Sequence, residues 1–263
     1  MTSYLIKLGG GLITDKSIPQ HVRQDVLAQV ASELGELYKD LSSATWLIGN
    51  GAGSFGHYTV HAVSYKDAPA DPKRIAAVRQ SVADLNRLVV AALRAADIPA
   101  AALSPHQFIR EKDGVIQLDY QKIAEVYARG EIPIVYGDVI DTGDGNSRIA
   151  STEEVLKIIG KHQTRATGTP ATACVYATSV EGVLDQEGMT IPVLRRESGL
   201  HVHKNSKDYD VTGGMAQKVA AGFEALQYSQ RVYIVDGRNQ GHLSRAIRLQ
   251  DVDTRLEAYK PRD

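Results

Sequence analysis

The chain has 263 residues, with 30 Lys and Arg against 31 Asp and Glu, 43% hydrophobic residues, 23 Gly and one Cys. The near-zero net charge argues against a general nucleic-acid binder, a single Cys cannot close an internal disulfide, and no run of about 18 apolar residues is present to span a membrane. The opening residues MTSYLIKLGGG reach glycine too soon for a signal peptide, so the expectation is a soluble cytoplasmic protein long enough to bury a sizeable core.

Residues 4–8 are a short apolar run with one Lys, stopped by three glycines, which predicts a strand entering a tight turn. Over 21–41, Val22, Val26, Leu27, Val30, Leu34 and Leu37 recur at spacings near three and four, the pattern of an amphipathic helix. A second strand, 44–48, runs into Gly49-Asn50-Gly51-Ala52-Gly53. The polar stretch 65–73 reads as a loop before a long helix carrying Ile75, Val78, Val82, Leu85, Val89, Ala92 and Ala96 on one stripe. Strands at 100–103 and 132–136 flank a weak helix at 121–129, and a loop rich in Asp, Gly and Asn follows Gly137. A helix at 152–161, a strand at 172–178, a helix at 213–228 and a strand at 232–235 complete the pattern. Residues 183–210, with many charges and no sustained apolar period, read as a mobile insertion over the sheet edge that orders with a ligand. This alternation predicts an α/β fold, a three-layer αβα sandwich around a mainly parallel sheet. One domain is expected over 1–263, with two lobes meeting near residue 165.

Three glycine-rich turns carry the functional signal. The first is Lys7-Leu8-Gly9-Gly10-Gly11, followed by Asp15 and Lys16; glycines let the backbone approach an anion, and a lysine supplies the charge a polyphosphate needs. The second, Gly51-Ala52-Gly53-Ser54-Phe55-Gly56, matches G-x-G-x-x-G after a strand. A dinucleotide site also needs an acid at the end of the next strand, and the nearest acids, Asp67 and Asp71, lie in the polar loop. The turn instead offers an anion cradle ended by His57, a side chain able to donate a hydrogen bond to an oxyanion. The third, Asp210-Val211-Thr212-Gly213-Gly214, opens a helix with Lys218 near its start. Neither G-x-x-x-x-G-K-[ST] nor the protein-kinase signatures occur.

In order along the chain, Ile6-Lys7-Leu8-Gly9-Gly10-Gly11-Leu12-Ile13-Thr14-Asp15-Lys16, the turn ending Gly53-Ser54-Phe55-Gly56-His57, and Asp210-Val211-Thr212-Gly213-Gly214-Met215 with Lys218 resemble the isopentenyl phosphate kinases of the amino acid kinase superfamily. Ile132-Pro133-Ile134-Val135-Tyr136-Gly137-Asp138-Val139 is also similar to that branch. The resemblance runs from residue 3 to about 236. It implies the amino acid kinase fold and ATP-dependent phosphorylation of isopentenyl phosphate to isopentenyl diphosphate, with Mg²⁺ held mainly on phosphate oxygens and no protein metal ligand named. An acceptor-binding lobe at about 1–165, a nucleotide-binding lobe at about 166–263 and a homodimer follow from the same likeness. It assigns Lys7, Gly9, Gly10 and Gly11 to the ATP phosphates, and Lys16 to charge at the transferring phosphoryl group. Ala52, Gly53 and His57 fall to the acceptor phosphate and the approaching γ-phosphate, Ser151 to the acceptor, Gly214 and Lys218 to the nucleotide, and Thr178 and Val183 to the nucleoside. An acceptor that is already a phosphate anion needs no general base; the chemistry asks for placement and positive charge. The start of the long helix, with Ile75, Val78, Val82 and Leu85, is expected to hold a five-carbon tail.

Two departures from the family pattern stand out. The family turn usually reads His-Gly-Gly-Gly-Ser-Phe-Gly-His, where this chain has Asn50-Gly51-Ala52-Gly53. Where the family has Ser-Gly-Asp, Ala150-Ser151-Thr152 aligns and the acid is missing. They leave fosfomycin kinase, with a similar Gly-Ala-Phe-Gly-His turn, as the competing relative, and a dinucleotide-dependent oxidoreductase as a more distant reading. A ligand-binding member without catalysis would keep the glycines and lack the lysines, and here all three lysines are present. His61, His106, His201 and His203 have no metal-ligand context, Cys174 reads as core, and Asp138, Asp141 and Asp144 read as loop acids near the acceptor entrance.

Overall fold

The computed structural model describes residues 2–185, 187–196 and 214–258. The first half of the chain runs β1 (Ser3–Leu8), a helical turn α1 (Gly10–Ile13), the short strands β2 (Thr14–Asp15) and β3 (His21–Val22), α2 (Gln24–Asp40), β4 (Thr45–Asn50), α3 (Gly53–Ala62), α4 (Pro72–Ala95) and β5 (Ala100–Ala102). A hairpin of β6 (Ile109–Lys112) and β7 (Val115–Leu118) follows, then α5 (Gln121–Ala128), β8 (Ile132–Tyr136), a second hairpin of β9 (Asp138–Gly143) and β10 (Asn146–Ala150), and α6 (Thr152–Thr167). The rest comprises β11 (Ala173–Thr178), β12 (Val193–Arg195), α7 (Met215–Ala225), β13 (Val232–Asp236), α8 (His242–Ile247) and β14 (Thr254–Glu257).

Eight strands form one sheet in the order β12-β14-β13-β11-β1-β4-β8-β5. From β13 to β5 every pairing is parallel, and only the β13–β14 pairing is antiparallel. The central strands are buried at nearly every residue, as strands covered on both faces must be, and their near-continuous apolar runs follow from that. One core, containing Ile6, Leu34, Leu85 and Leu243, lies under α2, α4 and α8; the other, containing Leu5, Ile123, Ile159 and Val219, lies under α5, α6 and α7. Helices on both faces of a mainly parallel sheet are the expected αβα layering. It puts the carboxyl ends of β1, β4, β8, β11 and β13 along one edge, where open α/β sheets bind ligands.

Several elements differ from the sequence expectation, each for a local reason. Asp71 caps α4, accepting from the Lys73 N–H at 2.8 Å with Pro72 in the first turn, so the stretch read as a loop over 65–73 is helical by Pro72. His21 and Val22 pair with β2 instead of starting a helix. The loop rich in Asp, Gly and Asn is the β9–β10 hairpin, turning through Gly143, Asp144 and Gly145, all at positive φ. A second hairpin turns at Asp113-Gly114, with φ of 52° and 74°, the Asp-Gly signal of a tight hairpin turn. The α3 helix was legible only as a turn, and α8 and β14 were not anticipated. The described part of 183–210 does not lie over the sheet edge: Leu184 bridges Thr190, and β12 pairs with β14 to become that edge. Its remainder, 197–210, lies outside the described residues, as do His201, His203 and Asp210-Val211-Thr212-Gly213 of the third glycine motif.

Candidate active site

The first two glycine turns lie side by side because β1 and β4 are neighbours, with Leu8 opposite Asn50. The Gly51 N–H donates to the Leu8 carbonyl at 2.8 Å, and the Gly9 N–H to the Ala177 carbonyl of β11 at 2.9 Å. The two turns touch backbone to backbone: a Cβ on Gly51 would lie 2.5 Å from the Gly10 nitrogen, and one on Gly10 would overlap Gly53, 2.6 Å from its Cα. Gly53 also has φ of +50°, which a side chain would strain. Thr14, wholly buried, ties the pair together, donating to the Gly10 carbonyl at 2.7 Å and accepting from the Ser54 N–H at 2.9 Å. Both turns lead straight into helical turns, α1 and α3, whose first N–H groups have no partner within the helix.

Lys7 is the penultimate residue of β1 and only 6% exposed. Its ammonium donates to the carboxylate of Glu153, in the first turn of α6 and 146 positions away. Burial by itself pushes the Glu153 carboxyl up, but the Lys7 charge and hydrogen bond, with a smaller effect of the Lys218 charge, outweigh it and hold the carboxyl below the usual range. Lys7 and Glu153 are therefore a buried ion pair across the two elements. Lys16 reaches the same turns from the loop after β2, with its Cε 3.2 Å and its Nζ 3.8 Å from where a Cβ on Gly11 would stand.

His57, half-buried, is in the first half of α3; Ala52 caps that helix and Gly53 opens it. Ser151 caps α6, its hydroxyl accepting from the Glu154 N–H at 3.1 Å. Gly214 stands at the start of α7, with no atom of the described residues within 4 Å of a Cβ placed on it, and Lys218 is one turn further on. Thr178 ends β11 with its hydroxyl 2.9 Å from the Val180 carbonyl, turned into the fold. The Val183 side chain is fully buried in the core, so a nucleoside contact through that side chain is not available. Leu85 is likewise core and offers no tail surface, whereas Val78 joins Val60, Tyr65 and Val139 in a separate small apolar cluster beside α3, with Ile75 against it.

Glu153 is the residue that sequence reasoning missed. Aligning Ala150-Ser151-Thr152 with Ser-Gly-Asp made the acid look lost; a shift of one residue sets Ser151-Thr152-Glu153 on it, and the ion pair with Lys7 supports the shift. Asn50, where the family usually has His, is wholly buried; its side-chain oxygen accepts from Asn86 at 2.8 Å, and its carbonyl from the Thr152 hydroxyl at 2.8 Å. Asp138 is not a loop acid: it starts β9, is 1% exposed, and accepts from the backbone N–H and the ring of His106. Cys174 is buried as expected, and burial pushes its thiol up to about 12. Among the described residues no group of three His, Cys, Asp or Glu is placed to hold a metal ion, and no helix is long and apolar enough to cross a membrane.

A parallel αβα sheet with paired glycine turns and clustered lysines at its carboxyl edge is the arrangement of a phosphate-handling enzyme. The chain belongs to the amino acid kinase family, whose model matches residues 3–236, and within it to the isopentenyl phosphate kinases, as its relatives attest. It is 30% identical to isopentenyl phosphate kinase of Haloferax volcanii over 221 residues, 83% of this chain and 86% of that one. It is 28% identical to isopentenyl phosphate kinase of Methanocaldococcus jannaschii over 232 residues, 82% of this chain and 84% of the other. A solved isopentenyl phosphate kinase structure matches at a TM-score of 0.74 and 25% identity, covering 96% of this chain and 99% of that chain. The product complex of the Thermoplasma acidophilum enzyme matches at 0.76 and 17% identity, covering 98% and 100%, and attests the shared fold. These matches leave no support for the dinucleotide-dependent oxidoreductase reading.

Proposed function

We infer that this chain transfers a phosphoryl group from ATP to isopentenyl phosphate, giving isopentenyl diphosphate and ADP. The observation that carries this reading is the buried Lys7–Glu153 pair set beside two glycine turns packed backbone to backbone, in a chain similar over most of its length to isopentenyl phosphate kinases. Two anionic phosphates must be brought together, and negative charge must be stabilised in a loose transition state; fixed cations and backbone amides meet that need without a general base.

In this reading Lys7, Gly9, Gly10 and Gly11 receive the ATP phosphates, while Gly214 and Lys218 hold the nucleotide from the other side. Lys16 neutralises charge on the group in transfer. Ala52, Gly53 and His57 hold the acceptor phosphate, with Ser151 close by at the cap of α6. Thr178, at the end of β11, and Val183, in the segment that follows, are the nucleoside side of the site in this reading. Glu153 holds the Lys7 ammonium in place at the end of β1. Mg²⁺, when bound, would be held mainly by the nucleotide's phosphate oxygens and would neutralise charge there, with no protein ligand assigned. The five-carbon tail lies against the half-buried Ile75 beside α3, with the buried Val78 and Val82 packed behind it. A homodimer acting in the cytoplasm belongs to the same reading.

A coupled ADP-release assay over isopentenyl phosphate, dimethylallyl phosphate, fosfomycin, UMP and acetylglutamate tests it, with isopentenyl phosphate expected to give the highest kcat/KM. Lys16→Ala should lower kcat by roughly a hundredfold, the scale of losing one preorganised electrostatic donor, at little cost in ATP KM. His57→Ala should cripple turnover and His57→Gln, which keeps an N–H donor, should retain part of it. A preference for fosfomycin would overturn the acceptor assignment and leave the family untouched.

A further inference from the structure

Lys16 and His57 come from different segments, and their separation has to be set by something other than sequence. Lys16 is carried on the loop between β2 and β3, and His57 on α3. Two hydrogen bonds tie that loop and the start of β3 to that helix, and a third ties the loop to α4. The Tyr58 hydroxyl donates to the Ser17 carbonyl at 3.0 Å, one residue after Lys16. The His21 N–H donates to the Ser54 hydroxyl at 3.1 Å. Gln20, held at φ of +50°, donates its side-chain amide to the Ser81 hydroxyl of α4 at 3.4 Å.

Ser81 is the node of this arrangement. Only 4% exposed, its hydroxyl accepts from Thr59 at 2.8 Å and donates to the Phe55 carbonyl at 2.9 Å, so it grips α3 on both sides of His57 while receiving Gln20 from the lysine loop. Local turns brace the loop itself: Asp15 accepts from the Ser17 N–H at 2.9 Å and from its hydroxyl at 2.6 Å. A buried polar network with its partners in place fixes geometry more than it adds stability. Transition-state charge stabilisation is the property most sensitive to small displacements of this kind.

We propose that Tyr58 and Ser81 are positioning residues that hold the Lys16 loop in register with the His57 helix, so that the cation for the transferring group and the donor for the acceptor phosphate keep one separation. The proposal rests on the roles given to Lys16 and His57 above. Neither Tyr58 nor Ser81 contacts a substrate in this scheme; each acts through the groups it holds.

Tyr58→Phe removes only a hydroxyl from a side chain 37% exposed, so folding is not at stake. It should lower kcat about fivefold, the effect of one lost hydrogen bond felt in the transition state, with KM for ATP and isopentenyl phosphate changed less than about twofold. Ser81→Ala should lower kcat further and also lower the melting temperature. The deciding measurement is a double-mutant cycle: in a Lys16→Ala background Tyr58→Phe should cost nothing more, since the residue it positions is gone. An equal loss in both backgrounds, or wild-type kcat for Tyr58→Phe, overturns the proposal alone. Wild-type kcat for Lys16→Ala would overturn the role of Lys16 itself and the proposal with it.

Discussion

The glycine turns after β1 and β4 and the glycine at the start of α7 look alike in sequence but differ in space. The first two are pressed together: no side chain fits on Gly10, Gly51 or Gly53 without striking the backbone or Thr14. Among the described residues, none comes within 4 Å of a Cβ placed on Gly214. The lesson is that the same residue serves two ends, a rigid double cradle built by close packing in one place and an accessible helix start in the other. A glycine-rich motif alone does not distinguish them.

The comparison can be broken by substitution, and the largest effect is expected at the cradle. Gly10→Ala puts a methyl into the backbone of Gly53, and the two strands that carry these turns are fixed by the sheet. Overpacking at such a site costs about 3 kcal/mol, and phosphoryl transfer should fall by a hundredfold or more. A Gly10→Ala protein with a wild-type melting curve and kcat would mean that the turns are not in contact.

Glu153→Gln should come next, because it leaves the buried Lys7 ammonium without its counter-charge. Removing one partner of a buried pair costs about 3 kcal/mol, and kcat should fall as Lys7 loses its anchor. The pH dependence gives an independent check. Because the Glu153 carboxyl is held below its unfolded value of about 4.3, its contribution to stability is fully present above that pH. It is lost as pH falls through the lower, folded value. Urea denaturation between pH 3 and 7 should therefore show a shallower acid limb for Glu153→Gln than for the wild type. Parallel limbs would show that the carboxylate gains nothing from Lys7.

Gly214→Ala should have the smallest effect. With no described residue near the added methyl, stability should stay within about 0.5 kcal/mol, and ATP KM should move by less than about threefold. A loss comparable to that of Gly10→Ala would erase the distinction between the two kinds of turn and make the α7 start as crowded as the cradle.

Much of the fold was legible because it is written at short range. A strand of five or six apolar residues ended by glycine, as at Leu8 and Asn50, shows itself within its own neighbourhood, and so do the helical periods of α2 and α4. The strands β12 and β14 were harder to read. Short, mixed in polarity and at the margin of the sheet, they bury fewer residues and so carry a weaker pattern. The hairpin at Asp113-Gly114 did carry a local signal and was passed over, whereas α3 was hidden by a run of glycines and polar residues that reads as a turn. In the site, Lys7, Lys16, Gly9–Gly11 and the Gly53–His57 turn were visible as motifs, and Glu153 was not, because an acid in the first turn of a helix is already accounted for by the helix dipole.

What the sequence by itself determined, then, is the alternation of strand and helix, the glycine turns at strand ends and the lysines next to them, since each depends on residues a few positions apart. Only the tertiary structure decided which of these meet. The order β11-β1-β4-β8 brings the Gly10 and Gly53 backbones into contact, sets Glu153 on Lys7 across 146 positions, and lets Ser81 bridge the Lys16 loop and the His57 helix. The physical reason is that periodicity and turn chemistry are properties of the local chain, while an ion pair or a backbone contact depends on the register of strands far apart in sequence. That register is set by burying both faces of the sheet at once.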